Sequence, residues 1–362
     1  MTKKANTKIL ITAPSLDESR NVSGISVIAR QIIERGNYDY RHFTAGRRDG
    51  ERAGTAWILK QIASVPRLWR RLRGERIDVF HINTAFVPLA IYRDAIYALT
   101  ARLAGVPVLL QIHGGRFLVN EFDNRLLAWT AAKMLRLAKT IVVYSEIEKA
   151  LVEKRWKNLS ARILSNAVPL DEVLPIKRAE GGNRLIFFGR FHESKGLREI
   201  IEACRILKNE NFDFRFKSYG EGAEKDFFVS EMTALLGDRF HHGGVAAGAE
   251  RWQKLAGADI FVLPSRHGEG LPMAMLEAMA AGCVVVVAEI ASVGAIVKDG
   301  VNGFLVEPYN APQVAEKLKL LLSNRADWNA LRRNARATIE EKCDLTMQIE
   351  KLENFYVEIL EK

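Results

Sequence analysis

The sequence predicts an α/β protein built from two doubly wound, Rossmann-like domains facing each other across a cleft. Three observations carry this expectation. Short β-branched runs alternate with longer helical stretches, as in βαβ units that build a parallel sheet. The alternation halts at a stretch rich in proline, glycine and charge near residue 175, then restarts. The chain has 362 residues, 48% hydrophobic and 27% charged, enough for about two ordinary globular domains.

In the first half the strand-like runs are 8–12, 77–81, 106–112 and 140–144. They are apolar almost throughout, as strands covered on both faces are. Helical patterns lie between them near 24–36, 56–73, 88–104 and 122–138. Residues 169–182 hold two prolines, a Gly-Gly pair and several charges, and read as a linker. Strands resume at 184–188, 212–217, 259–263 and 283–287. The expected division is residues 1–168 and 169–345. The tail carries Leu352, Phe355, Tyr356, Ile359 and Leu360 at helical spacing. A helix at 346–362 therefore either closes the second domain or crosses back onto the first.

Composition excludes several classes. Cys204, Cys283 and Cys343 are too few and too scattered for a disulfide framework, and none lies in a CxxC pair. Reduced thiols and a cytosolic chain are expected. No apolar run approaches the roughly 18 residues of a membrane helix, and the basic start lacks the apolar stretch of a signal peptide. Residues 1–170 hold 28 Lys+Arg against 14 Asp+Glu, whereas residues 171–362 hold 25 against 29. A basic half joined to a slightly acidic one suggests different partners for each. No nucleic-acid-binding motif is present. Nor is there a GxxxxGK[ST] loop, an HExxH, a GxGxxG after the first strand, or an Asp-x-Asp that would place a metal on a diphosphate. His241 and His242 are strand neighbours pointing apart, so no metal site is expected.

The most informative segment is Pro264-Ser-Arg-His-Gly-Glu-Gly-Leu-Pro-Met-Ala-Met-Leu-Glu-Ala-Met-Ala-Ala-Gly282. A strand ends, a loop follows, and a helix begins with Pro272 in its first turn and stops at Gly282. Free N–H groups around Gly270, Leu271 and Met273 face out of a positive helix end, suited to an anionic or hydroxyl-rich ligand. Glu269 precedes the helix and Glu277 lies eight residues on. Two ionised carboxylates there could grip sugar hydroxyls. Taken singly, Glu269 reads as a helix cap and Glu277 as a solvated helix residue. Arg190 and Lys195, in Phe187-Phe-Gly-Arg-Phe-His-Glu-Ser-Lys-Gly196, stand at a strand-to-helix turn, where two cations can neutralise a diphosphate without a metal. His113 ends a strand in Gln111-Ile-His-Gly-Gly115, and the glycines suggest close backbone approach. His81 ends another strand and ranks lower. Gly24, in Asn21-Val-Ser-Gly-Ile-Ser26, opens the first helix.

The Glu269…Glu277 pair within this segment resembles the motif of retaining nucleotide-sugar glycosyltransferases of the large family four, which have the two-domain GT-B architecture. The resemblance spans essentially the whole chain and is strongest over 184–308. It implies that Glu269 contacts the transferred sugar, Glu277 the donor ribose, Arg190 and Lys195 the diphosphate, and His113 the sugar within the catalytic site. Gly24 would approach the donor phosphates, with Gly270, Leu271 and Pro272 completing the donor site. The chain departs from the family at Ser23-Gly24, Asn166-Ala167 and Ala295. By this resemblance the protein is a metal-independent, retaining glycosyltransferase of bacterial cell-surface polysaccharide or glycolipid biosynthesis. A nucleotide-diphosphate sugar is its co-substrate, no cofactor is expected, and the acceptor is lipid-linked or a surface glycan. The competing readings are a GT-B epimerase or hydrolase and a catalytically silent sugar-nucleotide-binding protein.

Residues 56–73 place Ile58, Ile62, Val65, Trp69 and Leu72 on one helical stripe, with Lys60, Arg67, Arg70 and Arg71 opposite and Pro66 interrupting or restarting the helix. Either the arginines merely face water, or they face an anionic membrane, which would explain the basic half. The expectation is a cytoplasmic protein peripheral to the inner face of the membrane.

Overall fold

A computed structural model describes residues 6–17, 23–46, 54, 61–173, 176–178, 182–267, 269–290, 292–325 and 328–361. The chain divides into two compact units. One comprises Met1–Asn166 with Thr346–Lys362, the other Ala167–Leu345.

The first unit is a parallel sheet of β1 (Lys8–Ala13), β2 (Asp39–Thr44), β3 (Val79–Thr84), β4 (Val108–Ile112), β5 (Thr140–Val143) and β6 (Ala161–Ile163), in the order β2-β1-β3-β4-β5-β6. The crossover connections bring the helices Ser64–Gly74, Pro88–Leu103 and Arg125–Leu137 onto one core. There Leu68, Leu72, Tyr97 and Met134 share a core with Phe80 and Leu110. The helix Ser64–Gly74 starts just before Pro66, as an early proline allows. Its buried line is Ser64, Leu68 and Leu72; of the expected stripe, Leu72 is buried and Val65 packs partly buried on the core, whereas Trp69 and Ile62 are exposed. Ile58 and Lys60 lie outside the described residues. Arg71 is tied down by Glu75 (2.7 Å) and the His42 carbonyl (2.7 Å).

On the sheet lies the helix Leu345–Leu360, which follows the second unit in sequence but completes the first. Leu352, Phe355, Tyr356 and Ile359 are buried, while Leu360 is exposed, beyond the end of the packed stripe. Glu353 is fully buried and accepts hydrogen bonds from the Asn37 backbone N (2.6 Å) and Nδ2 (3.0 Å). Tyr356 and His81 share a 2.7 Å hydrogen bond. His81 thus corrects the sequence reading. The strand runs on to Thr84, so His81 sits mid-strand and fully buried, bonded also to Gln111. It is a core residue.

The second unit repeats the architecture with β7 (Arg184–Phe188), β8 (Arg215–Tyr219), β9 (Phe240–His242), β10 (Ile260–Leu263), β11 (Val284–Ala288) and β12 (Phe304–Val306), all parallel in the order β12-β11-β10-β7-β8-β9. The described part of the expected linker is not loose. Leu170–Val173 is a helical turn, and Arg178 joins Arg184 and Arg332 around the buried Asp259 carboxylate, at 2.8–3.0 Å.

Candidate active site

Two neighbouring strands of the second unit, β7 and β10, end side by side, and their loops interlock. After β7 the chain turns through Glu193–Lys195 to Gly196, at φ +72°. A Cβ on Gly196 would lie 2.0 Å from the Pro264 carbonyl oxygen, so only glycine lets the two loops touch. The Arg266 N–H donates to the Ser194 carbonyl (2.7 Å), and its guanidinium meets the Glu199 carboxylate in the next helix through Nε (2.9 Å) and Nη2 (2.8 Å).

This joint brings Lys195 onto Glu269 as a direct ion pair, with Ser265 Oγ also donating to Glu269 (3.4 Å). Burial first, and the nearby Arg190 charge second, push the Lys195 ammonium down to about 8. At about 8 it is still mostly charged at neutral pH, facing the Glu269 carboxylate. Arg190 itself is exposed beside the pair. Gly270, Leu271 and Pro272 are buried, and the Gly270 carbonyl accepts from Ser292 N (3.2 Å), tying in the loop after β11. The helix is Met273–Ala280, with Pro272 as its cap rather than in its first turn. Gly282 follows it at φ +81°, the left-handed stop expected of a helix end.

Glu277 is not a solvated helix residue. It is buried and accepts a 2.9 Å charge-assisted bond from Arg251, on the helix Gly248–Ala256. The Arg251 guanidinium in turn lies over the Phe188 ring, 5.4 Å from its centroid. Neither Arg251 nor Glu199 carried a sequence signal. Each is an ordinary charge whose partner lies 26 or more residues away.

His113 and Gly24 belong to the first unit. Asn83 Nδ2 donates to the Thr12 carbonyl (2.7 Å), which leaves Asn83 Oδ1 facing His113 Nε2 at 2.6 Å. Nε2 must then carry the proton, and Nδ1 accepts from the Tyr144 hydroxyl (2.5 Å). Burial, then the Glu148 charge, hold the Tyr144 phenol far above its usual value, so it stays a donor. Burial, then His81, push His113 down to about 3. His113 is therefore a neutral, oriented dipole and not a proton carrier. The close approach that its glycines suggested is internal, for a Cβ on Gly115 would lie 2.5 Å from the Ala85 carbonyl oxygen. Gly24 is the first residue of the helix Gly24–Arg35, capped by Ser23 Oγ, which accepts from Ser26 N (3.4 Å).

The chain matches the family "Glycosyl transferases group 1" over residues 174–338 and "Glycosyl transferase 4-like domain" over 27–166. The chain belongs to this glycosyltransferase family. The transferase is 24% identical over 331 residues to the alpha-D-kanosaminyltransferase of Streptomyces kanamyceticus, covering 84% of this chain and 83% of that protein. It is 23% identical over 333 residues to the UDP-Gal:alpha-D-GlcNAc-diphosphoundecaprenol alpha-1,3-galactosyltransferase of Escherichia coli, covering 84% and 81%. Among solved structures it superposes on Anabaena Alr3699/HepE in complex with UDP and glucose, with a TM-score of 0.76, 17% identity, and 98% and 100% of the two chains covered. Sucrose-phosphate synthase of Thermosynechococcus elongatus gives 0.78 at 15% identity, over 98% and 99%. The two Rossmann-like halves are thus those of the GT-B class. No helix among the described residues is long and apolar enough to cross a membrane.

Proposed function

We propose that the transferase moves a sugar, with retention of configuration, from a nucleotide-diphosphate sugar to a lipid-linked or surface-glycan acceptor at the inner face of a bacterial membrane. The observation that carries this is the Lys195–Glu269 pair at the joined ends of β7 and β10, beside Arg190. The pair opens as donor binds, the diphosphate taking Lys195 and sugar hydroxyls taking Glu269. Arg190 and Lys195 neutralise the leaving diphosphate, which accepts the acceptor's proton on the face that the acceptor oxygen attacks. No protein nucleophile and no divalent ion enter this scheme, because the two cations do a metal's electrostatic work. Glu277, held by Arg251, takes the ribose, and His113 orients the sugar as a neutral dipole. The diphosphoundecaprenol acceptor in the name of the Escherichia coli relative supports a lipid-diphosphate acceptor here.

The test is turnover of nucleotide sugars with and without a polyprenyl-diphosphate-linked saccharide. Acceptor-dependent release of nucleoside diphosphate, an axial product whose anomeric coupling matches the donor's, and full activity in EDTA are expected. Acceptor-independent release would favour a hydrolase or epimerase. Inversion, or loss in EDTA restored by magnesium, would overturn the mechanism.

A further inference from the structure

The helices Ser64–Gly74, Pro88–Leu103 and Arg125–Leu137 lie side by side over one face of the first sheet, with their buried sides sharing its core. Their outer sides therefore form one surface. On the middle helix the exposed side chains are Leu89, Ile96, Leu99, Arg102 and Leu103, four of them apolar, and Leu103 is 68% exposed. Its only carboxylate, Asp94, is fully buried and held by Arg93. On one flank Trp129, 60% exposed, and Leu126 stand among Arg125, Lys133 and Arg136. On the other flank Trp69 stands among Arg67, Arg70 and Arg73. Both tryptophans have a cation near the ring, Lys133 at 5.6 Å and Arg73 at 6.0 Å. None of the three helices exposes an acid, whereas the next one, Glu146–Arg155, exposes Glu146. A soluble helix layer ordinarily turns mixed charge to water, and an apolar field on helices that expose cations and no acid marks an interaction surface.

We propose that this three-helix face docks flat on an anionic lipid bilayer, with Leu99, Leu103, Trp69 and Trp129 entering the headgroup boundary and the arginines and Lys133 meeting lipid phosphates. Charge chooses the occupant, since apolar side chains flanked by cations on helices that expose no acid match anionic lipid. This deepens the peripheral-membrane part of the proposed function and replaces a purely electrostatic attachment with one that has an inserted, salt-resistant component.

The experiment is flotation of the full chain with phosphatidylcholine vesicles, with and without phosphatidylglycerol, at low salt and at about 1 M salt, where surface charges are screened within about 3 Å. Wild type should float with anionic vesicles and retain part of that binding at high salt. The triple variant Arg70→Glu, Arg73→Glu, Arg136→Glu should bind at low salt about a hundredfold more weakly. The triple variant Leu99→Gln, Leu103→Gln, Trp129→Gln should lose the salt-resistant part. Both should keep the unfolding midpoint of wild type and its affinity for nucleoside diphosphate. Unchanged flotation in both variants overturns the proposal. So does a wild-type dimer in sedimentation equilibrium that the apolar variant dissociates, since a second copy would then cover the face. Wild type that floats in the expected way yet uses no lipid-diphosphate acceptor leaves the surface standing and removes the acceptor reading.

Discussion

Replacing Gly196 by alanine tests the joint on which the candidate site rests. The new Cβ would meet the Pro264 carbonyl oxygen at 2.0 Å, and both atoms belong to packed backbone that cannot swing aside. The left-handed conformation at φ +72° costs a non-glycine residue about 1–2 kcal/mol. Forcing the loops apart adds about 1–3 kcal/mol. Gly300→Ala is the control, because it has φ +70° in the same unit with nothing within 4 Å of its Cβ. It should cost only the conformational part. The difference between the two variants isolates the loop contact. Urea unfolding read by the fluorescence of Trp252 and Trp328 measures it, and titration calorimetry with nucleoside diphosphates measures the site. Gly196→Ala should weaken diphosphate binding at least tenfold, since the Ser194–Arg266 bond and the Lys195–Glu269 pair depend on the same approach. If Gly196→Ala unfolds at the urea midpoint of Gly300→Ala and binds the nucleotide as wild type does, the joint does not organise the site.

The other predictions follow from single charges. With Lys195 pushed down to about 8, diphosphate affinity should fall above pH 8 by up to tenfold per unit, as binding comes to require proton uptake. Lys195→Arg should flatten that profile, which calorimetry across pH 7–10 will show. Arg251→Met strands Glu277 in a buried position and should cost about 3–5 kcal/mol of stability, whereas Arg251→Met with Glu277→Gln should recover more than half in a double-mutant cycle. Burial pushes Asp259 up, but the bonds and charge of Arg184, with Arg178 behind them, outweigh it and hold the carboxyl below its usual value. A carboxyl with a depressed folded value stabilises above the ordinary range near pH 4 and loses that stabilisation as pH falls. Acid unfolding of Asp259→Asn should therefore show a shallower pH dependence than wild type, from a lower starting stability.

The strands that the sequence marked weakly or not at all share one property. β2, β6, β9 and β12 are the outermost strands of the two sheets. Interior strands such as β11, Val284-Val-Val-Val-Ala288, are covered on both faces and read as unbroken apolar runs. Asp39-Tyr-Arg-His-Phe-Thr44 is an edge, half-exposed along most of its length, and three-residue β6, β9 and β12 are too short for any periodicity to register. The site divides in the same way. Glu269, Lys195 and Arg190 were legible because a strand, a turn and a helix start leave local marks. Arg251, Asn83 and Tyr144 were not, because they act through contacts that only the folded chain creates. The 56–73 stripe was only half right, with Leu72 and Val65 packed and Ile62 and Trp69 exposed, for a related reason. Helical spacing identifies neighbours on a helix, but not which side the sheet takes, and here it took Ser64, Leu68 and Leu72 and left Trp69 outside.

The return of the helix Leu345–Leu360 to the first unit also sets an order of assembly. Residues 167–345 form a continuous segment with their own sheet, so this unit closes through contacts within one stretch of chain. The first unit, although its strands are made earlier, must wait. Until the last helix arrives, the fully buried Glu353 and Tyr356 are missing from their places against Asn37 and His81. The first half can therefore be completed only after the second has been made, and joining its two parts closes a loop that spans the whole second unit.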